Sequence, residues 1–216
     1  SGSRVEENSD KENPLDFVLW KKTDDQGIKW ESPWGSGRPG WHTECVVMIQ
    51  NEFGTSQIDI HGGGQDLKFP HHENESAQNS AIHHHPLANY WVHNGMINID
   101  GEKMSKSLGN VWWAKEAIEK LGSNVSRWIL VQNHYRQTIN MTEESITTAQ
   151  VEIEKFQNGL KQAHLKLQLR GQQSAVIDQE LYSSFLSAME DDLNTPNAIV
   201  TLFEGLKRLN QLVRVK

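Results

Sequence analysis

Ser56-Gln57-Ile58-Asp59-Ile60-His61 alternates in polarity and runs straight into Gly62-Gly63-Gly64. A period of two is the pattern of a strand with one covered face. Three glycines at its end let backbone come close to a ligand, because none carries a Cβ. Pro70 then precedes a helical run over residues 71–80. Strand, glycine run and helix in that order place a ligand at the end of an open α/β sheet. Asp66, just past the glycines, suits a ribose hydroxyl as an acceptor; it is equally suited to forming the turn.

The flanking segments divide the chain by texture. Residues 1–13 are polar and read as a linker or an end. Pro14-Leu15-Asp16-Phe17-Val18-Leu19-Trp20 is apolar and is expected to pack. Residues 30–40 are dense in Gly, Pro and Trp, which predicts an ordered irregular loop. Trp34 and Trp41 there need a surface to stack on. Residues 41–48 open a helix with Cys45 inside. Residues 90–101 predict a strand pair with turns at Asn94-Gly95 and Asp100-Gly101.

Beyond residue 111 the pattern is helical. Residues 114–121 form a short helix stopped by Gly122, and Ser123 is expected to cap the next. Thr142 is expected to cap a long one, with Glu143 and Glu144 in its first turn. Ile146, Ala149, Ile153, Phe156, Leu160, Ala163 and Leu167 step by three and four along it, a narrow packing seam. Residues 171–174 read as a linker. A fourth helix carries Leu181, Phe185 and Met189. Thr195-Pro196 starts a fifth, with Thr195 as cap.

Gly101-Glu102-Lys103-Met104-Ser105-Lys106-Ser107-Leu108-Gly109-Asn110 places two ammonium groups, two hydroxyls and a turn within ten residues. Such a run suits a mobile clamp on a polyphosphate whose charge grows as pyrophosphate leaves. Cys45, His71 and Glu75 offer thiolate, imidazole and carboxylate, all zinc ligands. His71 and Glu75, four apart, share a helix face. On spacing alone, a buried cysteine and a capped helix start account for them better than a metal does. His83-His84-His85 reads as a surface loop.

The chain has 216 residues, a net charge of −7 and a single cysteine. No broad basic surface is expected, so contact with nucleic acid must be local. A lone cysteine excludes an internal disulfide framework and suits a reducing compartment. No apolar run is long enough to span a bilayer and none reads as a signal peptide. The expected setting is the cytoplasm.

The lysine run resembles the Lys-Met-Ser-Lys-Ser signature of class I aminoacyl-tRNA synthetases. Trp41-His42-Thr43-Glu44-Cys45, the stretch 59–75, Gly37-Arg38-Pro39-Gly40, His134-Tyr135-Arg136 and Asp191-Asp192-Leu193-Asn194-Thr195-Pro196 narrow the resemblance to cysteinyl-tRNA synthetase. The resemblance implies the second half of a Rossmann-like catalytic domain over 1–111. A helical stem-contact domain over 112–172 and the beginning of a tRNA-reading bundle over 173–216 follow. It implies ATP-dependent activation of L-cysteine and transfer to the tRNA 3′ end, with Mg2+ accompanying ATP. Zn2+ is implied on Cys45, His71 and Glu75, taking the substrate thiolate. Trp41, His42, His61 and His72 are implied to line the pocket. Gly63, Gly64, Asp66, His93 and Met96 are implied on the adenosine side. Lys103 and Lys106 are implied as the clamp, Lys106 foremost.

The family's His-Ile-Gly-His signature and a further zinc-binding cysteine do not occur in these residues. The chain alone is therefore expected to be inactive, and the complete protein to be a monomer that does not bind membranes. A cysteine ligase acting on an amino-sugar shares the zinc and ATP residues and is the alternative enzyme. A helical binding module with a relict nucleotide site is the non-enzymatic one.

Overall fold

The computed structural model describes residues 11–105, 107, 109–171 and 176–214. It divides into two compact units, Ser1–Asn94 and Gly95–Lys216. The change at residue 94/95 lies upstream of the boundary expected at 111.

In the first unit, a hairpin of β1 (Trp20–Lys22) and β2 (Gly37–Pro39) leads into α1 (Trp41–Phe53). Trp41 thus begins the helix expected from residue 41 and does not sit in the loop before it. The segment expected to pack against the core does not: Leu15, Val18 and Leu19 are exposed, and only Phe17 and Trp20 are partly covered. Next comes β3 (Ile58–Gly64), a π-helical turn (Lys68–His72), α2 (Glu73–His83) and β4 (Ala88–Asn94). β3 and β4 run parallel, with His61 opposite Trp91 and Gly63 opposite His93. The three glycines are strand, not loop, because their partners Val92 to Asn94 continue the ladder past His61. Alternation then sorts the faces. His61 and Gly63 share one face with Trp91 and His93, while Ile60 and Tyr90, paired across the strands, are exposed on the other.

α2 is unusual in what it buries. Asn74, Glu75, Gln78 and Asn79 are its covered residues, and His71 and His72 are buried just before it. Their spacing of three and four is that of a helix face, but the face is polar. A core-seeking helix would bury an apolar stripe. His83 to His85 terminate this helix and do more than decorate a loop. His84 is its left-handed cap, His83 Nε2 meets Gln50 Nε2 at 2.8 Å, and His85 Nε2 meets Ser56 Oγ at 3.0 Å.

In the second unit, β5 (Ile97–Ile99) turns through Asp100-Gly101 into β6 (Glu102–Lys103), antiparallel, and pairs in parallel with β7 (Ile139–Met141). The Asp-Gly turn forms as expected. Asn94-Gly95 is not a hairpin turn, for β4 pairs with β3 and β5 with β6 and β7. The Gly95 N–H donates instead to the Tyr135 carbonyl at 2.7 Å.

Helices α3 (Ala114–Leu121), α4 (Ser123–Val131), α5 (Glu143–Arg170), α6 (Gln179–Glu190) and α7 (Thr195–Arg214) complete this unit. Thr142 caps α5 as expected, its hydroxyl accepting from the Ser145 N–H at 3.1 Å. Ser123 is not a cap; α4 follows Gly122 with no side chain at that position. Thr195 is not one either. Its hydroxyl donates to the Asn133 carbonyl at 3.3 Å, and Asn194 Oδ1 accepts from the Asn197 N–H. Of the expected linker, only Gly171 lies among the described residues, where it is the left-handed cap of α5.

The seam of α5 serves two neighbours. Its first half, Ile146, Ala149 and Ile153, packs with Val125, Ile129, Ile139 and Met141. Further on, Leu160 and Leu167 are exposed, and the close approach runs through buried Gly159, where a Cβ would overlap the Leu206 side chain. Trp128, Phe156 and Phe203 cluster beside it with ring centroids 4.9–6.3 Å apart. Ile129, 1% exposed, is the centre of the first core. Ile129→Ala should destabilise this unit by about 2–5 kcal/mol, the cost of deleting a buried branched side chain and leaving a cavity. Urea unfolding followed at Trp128 would show it, and a change below about 0.5 kcal/mol would refute that centrality.

Candidate metal centre and lysine loop

The buried polar face of α2 meets β3 and α1 at Glu75. This carboxyl is 1% exposed, with Oε1 2.6 Å from His71 Nε2 and Oε2 2.8 Å from His61 Nε2. Neither contact is aligned as a hydrogen bond, so both oxygens and His61 Nε2 are buried with their bonding capacity unspent. Burial alone would push the carboxyl up; the imidazoles of His61, His71 and His72 outweigh it and hold it below its ordinary value. Glu75 is therefore an anion in a closed setting, where a charge must be compensated by its neighbours.

Cys45, on α1, brings Sγ to 3.5 Å from His71 Nε2. Ligands of one tetrahedral zinc stand about 3.6 Å apart for sulfur and nitrogen. Cys45, His71 and Glu75 thus offer three ligand atoms within 4.8 Å of one another, and His61, His72 and Glu75 offer a second such set. Burial keeps His71 and His72 neutral, His72 falling to about 4, and neutral imidazole is the ligand form. Burial first, and Glu75 next, push the Cys45 thiol up. A cation would reverse that, since a coordinating thiol gives up its proton. The unspent oxygens and the N, O and S donor set fit zinc.

Rings outside the set fix its orientation. His42 Nδ1 and His71 Nδ1 are 2.7 Å apart, so one carries the proton. With the proton on His71 Nδ1, its Nε2 lone pair faces Cys45 and Glu75, the arrangement by which a supporting partner sets a ligand's tautomer. Trp41 covers the same imidazole, centroids 4.0 Å apart. His72 Nδ1 meets His93 Nε2 at 2.8 Å, and Trp91 lies against His61, His72 and His93. Gly63 is required here: a Cβ on it would sit 2.9 Å from His72 Cε1. Gly64 is strand, and Asp66 is exposed in the turn that follows.

The structure therefore gathers Trp41, His42, Cys45, His61, His71, His72 and Glu75 with His93, which the resemblance implies on the adenosine side. Trp91, Gln78 and Thr43 also belong to this cluster, beyond the residues expected from the sequence. Thr43 Oγ1 lies 2.8 Å from Gln78 Oε1, tying α1 to α2. The i, i+2 step from Trp91 to His93 and the polar 71–74–75–78–79 pattern were the available signals.

Met96 and Lys103 belong to the second unit. Met96 accepts from the Ile139 N–H at 2.9 Å through its carbonyl, and Lys103 is exposed on β6. Asn110 closes the base of the lysine loop: its Oδ1 accepts from the Ser105 N–H at 2.9 Å, and its Nδ2 donates to the Lys103 carbonyl at 3.2 Å. Lys106, expected to be the main clamp, lies outside the described residues.

Residues 1–151 match the family model described as tRNA synthetases class I (C) catalytic domain. The chain belongs to this family. Residues 184–216 of this synthetase-family chain match the DALR domain model. It is 46% identical over 220 residues to a cysteine–tRNA ligase of Halalkalibacterium halodurans, covering 99% of this chain and 47% of that protein. Another from Nitrosomonas europaea is 46% identical over 214 residues, covering 98% and 46%. The chain spans about half the length of the curated relatives it matches. Among solved structures, the LeuRS of Agrobacterium radiobacter K84, in a ternary complex with tRNA and LeuAMS, resembles it with a TM-score of 0.62. That match covers 85% of this chain and 28% of the other at 15% identity, which speaks to the fold. The class I synthetase fold, α/β with helical C-terminal segments, is thus the architecture. Among the described residues no helix is long and apolar enough to cross a membrane.

Proposed function

We propose that this chain serves cysteine–tRNA ligation: ATP-dependent conversion of L-cysteine to cysteinyl-adenylate, then transfer to the tRNA 3′ end. The observation that carries the reading is the set of half-buried Cys45 with buried His71 and Glu75 inside a class I (C) synthetase chain. Cys45, His71 and Glu75 would hold zinc, with His61 beside Glu75 and His42 setting the tautomer of His71. When bound, zinc supplies a soft Lewis acid that takes a thiolate and leaves a serine hydroxyl unbound. A site that binds a group its competitor lacks discriminates strongly enough to dispense with editing.

Trp41, which is 59% exposed, His42, His61 and His72 are proposed to line the substrate side. Gly63, Gly64, Asp66, His93 and Met96 are proposed for the adenosine, with His93 doubling as the partner of His72. Lys103 and Lys106 neutralise the phosphates of MgATP as pyrophosphate departs. The match of 184–216 to the DALR domain supports tRNA as acceptor over an amino-sugar. We retain 1–111, 112–172 and 173–216 as the functional division, a monomeric complete protein, and the cytoplasm as its place.

The full-length protein should exchange pyrophosphate into ATP only when cysteine is present. It should do so at least a thousandfold better with cysteine than with serine, and then charge tRNA. Equal exchange with both amino acids, or none with cysteine, would overturn the reading.

A further inference from the structure

The turn between α6 and α7 is held in an uncommon backbone shape, with Asp192 at φ 52° and Leu193 at φ 54°. It presents the Asp192 carboxylate to the loop that follows α4. Arg136 Nε donates to Oδ2 at 2.7 Å and Nη2 to Oδ1 at 3.3 Å, while the Tyr135 hydroxyl donates to Oδ1 at 2.7 Å. His134 Nε2 stands 3.8 Å from Oδ2. Isolated exposed ion pairs contribute little. A two-pronged guanidinium contact joined by a phenol is different, because it fixes direction as well as distance. The Arg136 and Tyr135 contacts hold the carboxyl down to about 2, so the clamp is ionised at any working pH.

The same loop is bonded onward. The Tyr135 carbonyl accepts from the Gly95 N–H at 2.7 Å, and Gly95 lies so close to the Gln137 carbonyl that a Cβ would overlap it. Two residues later β5 begins, pairs with β7 and turns into β6, where Asn98 is opposite Lys103. The Met104 N–H donates back to the Ile97 carbonyl at 3.1 Å. An unbroken run of bonds inside one compact unit thus leads from a helix turn of the bundle to the strand bearing the lysine loop.

We propose that Asp192 is a positioning residue for that loop: through Tyr135 and Arg136 it locks the α6–α7 turn to the strand that carries Lys103, so the two move together. The functional half of this inference rests on the ligase reading; the mechanical half does not. Asp192→Asn is the test, since Asn tolerates the left-handed backbone and keeps the size while removing the charge. Hydrogen–deuterium exchange of the full-length protein should quicken about 2- to 30-fold over residues 95–105, the range for a coupling of this kind. Residues 143–170 of α5 should be unchanged.

Cysteine-dependent pyrophosphate exchange should lose a similar factor in kcat, with KM for cysteine unmoved. Asp192→Glu should recover part of it. Tyr135→Phe, a milder variant, should act in the same direction, and the double variant should cost less than the product of the two. Faster hydrogen exchange confined to residues 188–196, or spread equally over α5, would overturn the proposal. Propagated loss of protection in a protein whose wild type shows no cysteine-dependent activity would sink the ligase reading and leave the coupling intact.

Discussion

Cys45→Ser in the full-length protein should remove most bound zinc, taking it from about one equivalent to less than about 0.2. Serine is close to cysteine in size, so packing at a half-buried position on α1 changes little. Its hydroxyl is a far harder and less acidic donor than a thiol, and a soft thiolate is what holds zinc in such sets. His71 and Glu75 would remain in place, so the cluster keeps two of its three ligands but loses its strongest. Metal analysis after exhaustive dialysis gives the stoichiometry, and circular dichroism confirms that α1 is intact. Unchanged zinc content would remove Cys45 from the set. Glu75→Gln should have a comparable effect, because an amide cannot supply the charge that a buried dication needs.

Lys106→Ala should slow cysteinyl-adenylate formation by roughly 10²- to 10³-fold, the scale for losing one preorganised partner of a developing charge. Lys103 sits on β6, where strand pairing and the Asn110 bond to its carbonyl fix its backbone. Lys106 is the second lysine of the run and lies outside the described residues. The affinity for cysteine should be unaffected, since a clamp touches phosphate and not the amino acid. Single-turnover adenylate formation separates these quantities. A wild-type rate in the variant would rule out Lys106 as the clamp, and an equal loss of cysteine affinity would indicate collapse of the fold.

Much of the fold was legible because local rules governed it. Alternation gave β3, the Thr142 cap gave the start of α5, and the Asp100-Gly101 turn gave a hairpin. Errors arose where local signals lost to partners far along the chain. Gly62, Gly63 and Gly64 carry loop chemistry, yet β4 supplies a ladder that draws them into the strand. Asn94-Gly95 is a strong turn dipeptide, but the Tyr135 carbonyl claims the Gly95 N–H and β4 already has its partner in β3. Thr195 is a better cap by residue type than by position, since its hydroxyl is engaged by Asn133 and the neighbouring Asn194 takes the role.

The sequence by itself determined the chemistry of the site. A thiol, an imidazole and a carboxylate at 45, 71 and 75, and the lysine run at 103–106, are facts of residue type and order. Only the tertiary structure decided that Cys45 and Glu75, 30 positions apart, converge on one imidazole, and that His61 and His93 come from neighbouring strands to flank His72. It alone decided that Asp192 meets Arg136. The physical reason is that hydrophobic periodicity reports which face of an element leaves water. It says nothing of a face such as that of α2, which is covered although it is polar. Which partners such groups meet depends on strand register and on how helices pack over long separations, and those are set by the whole chain at once.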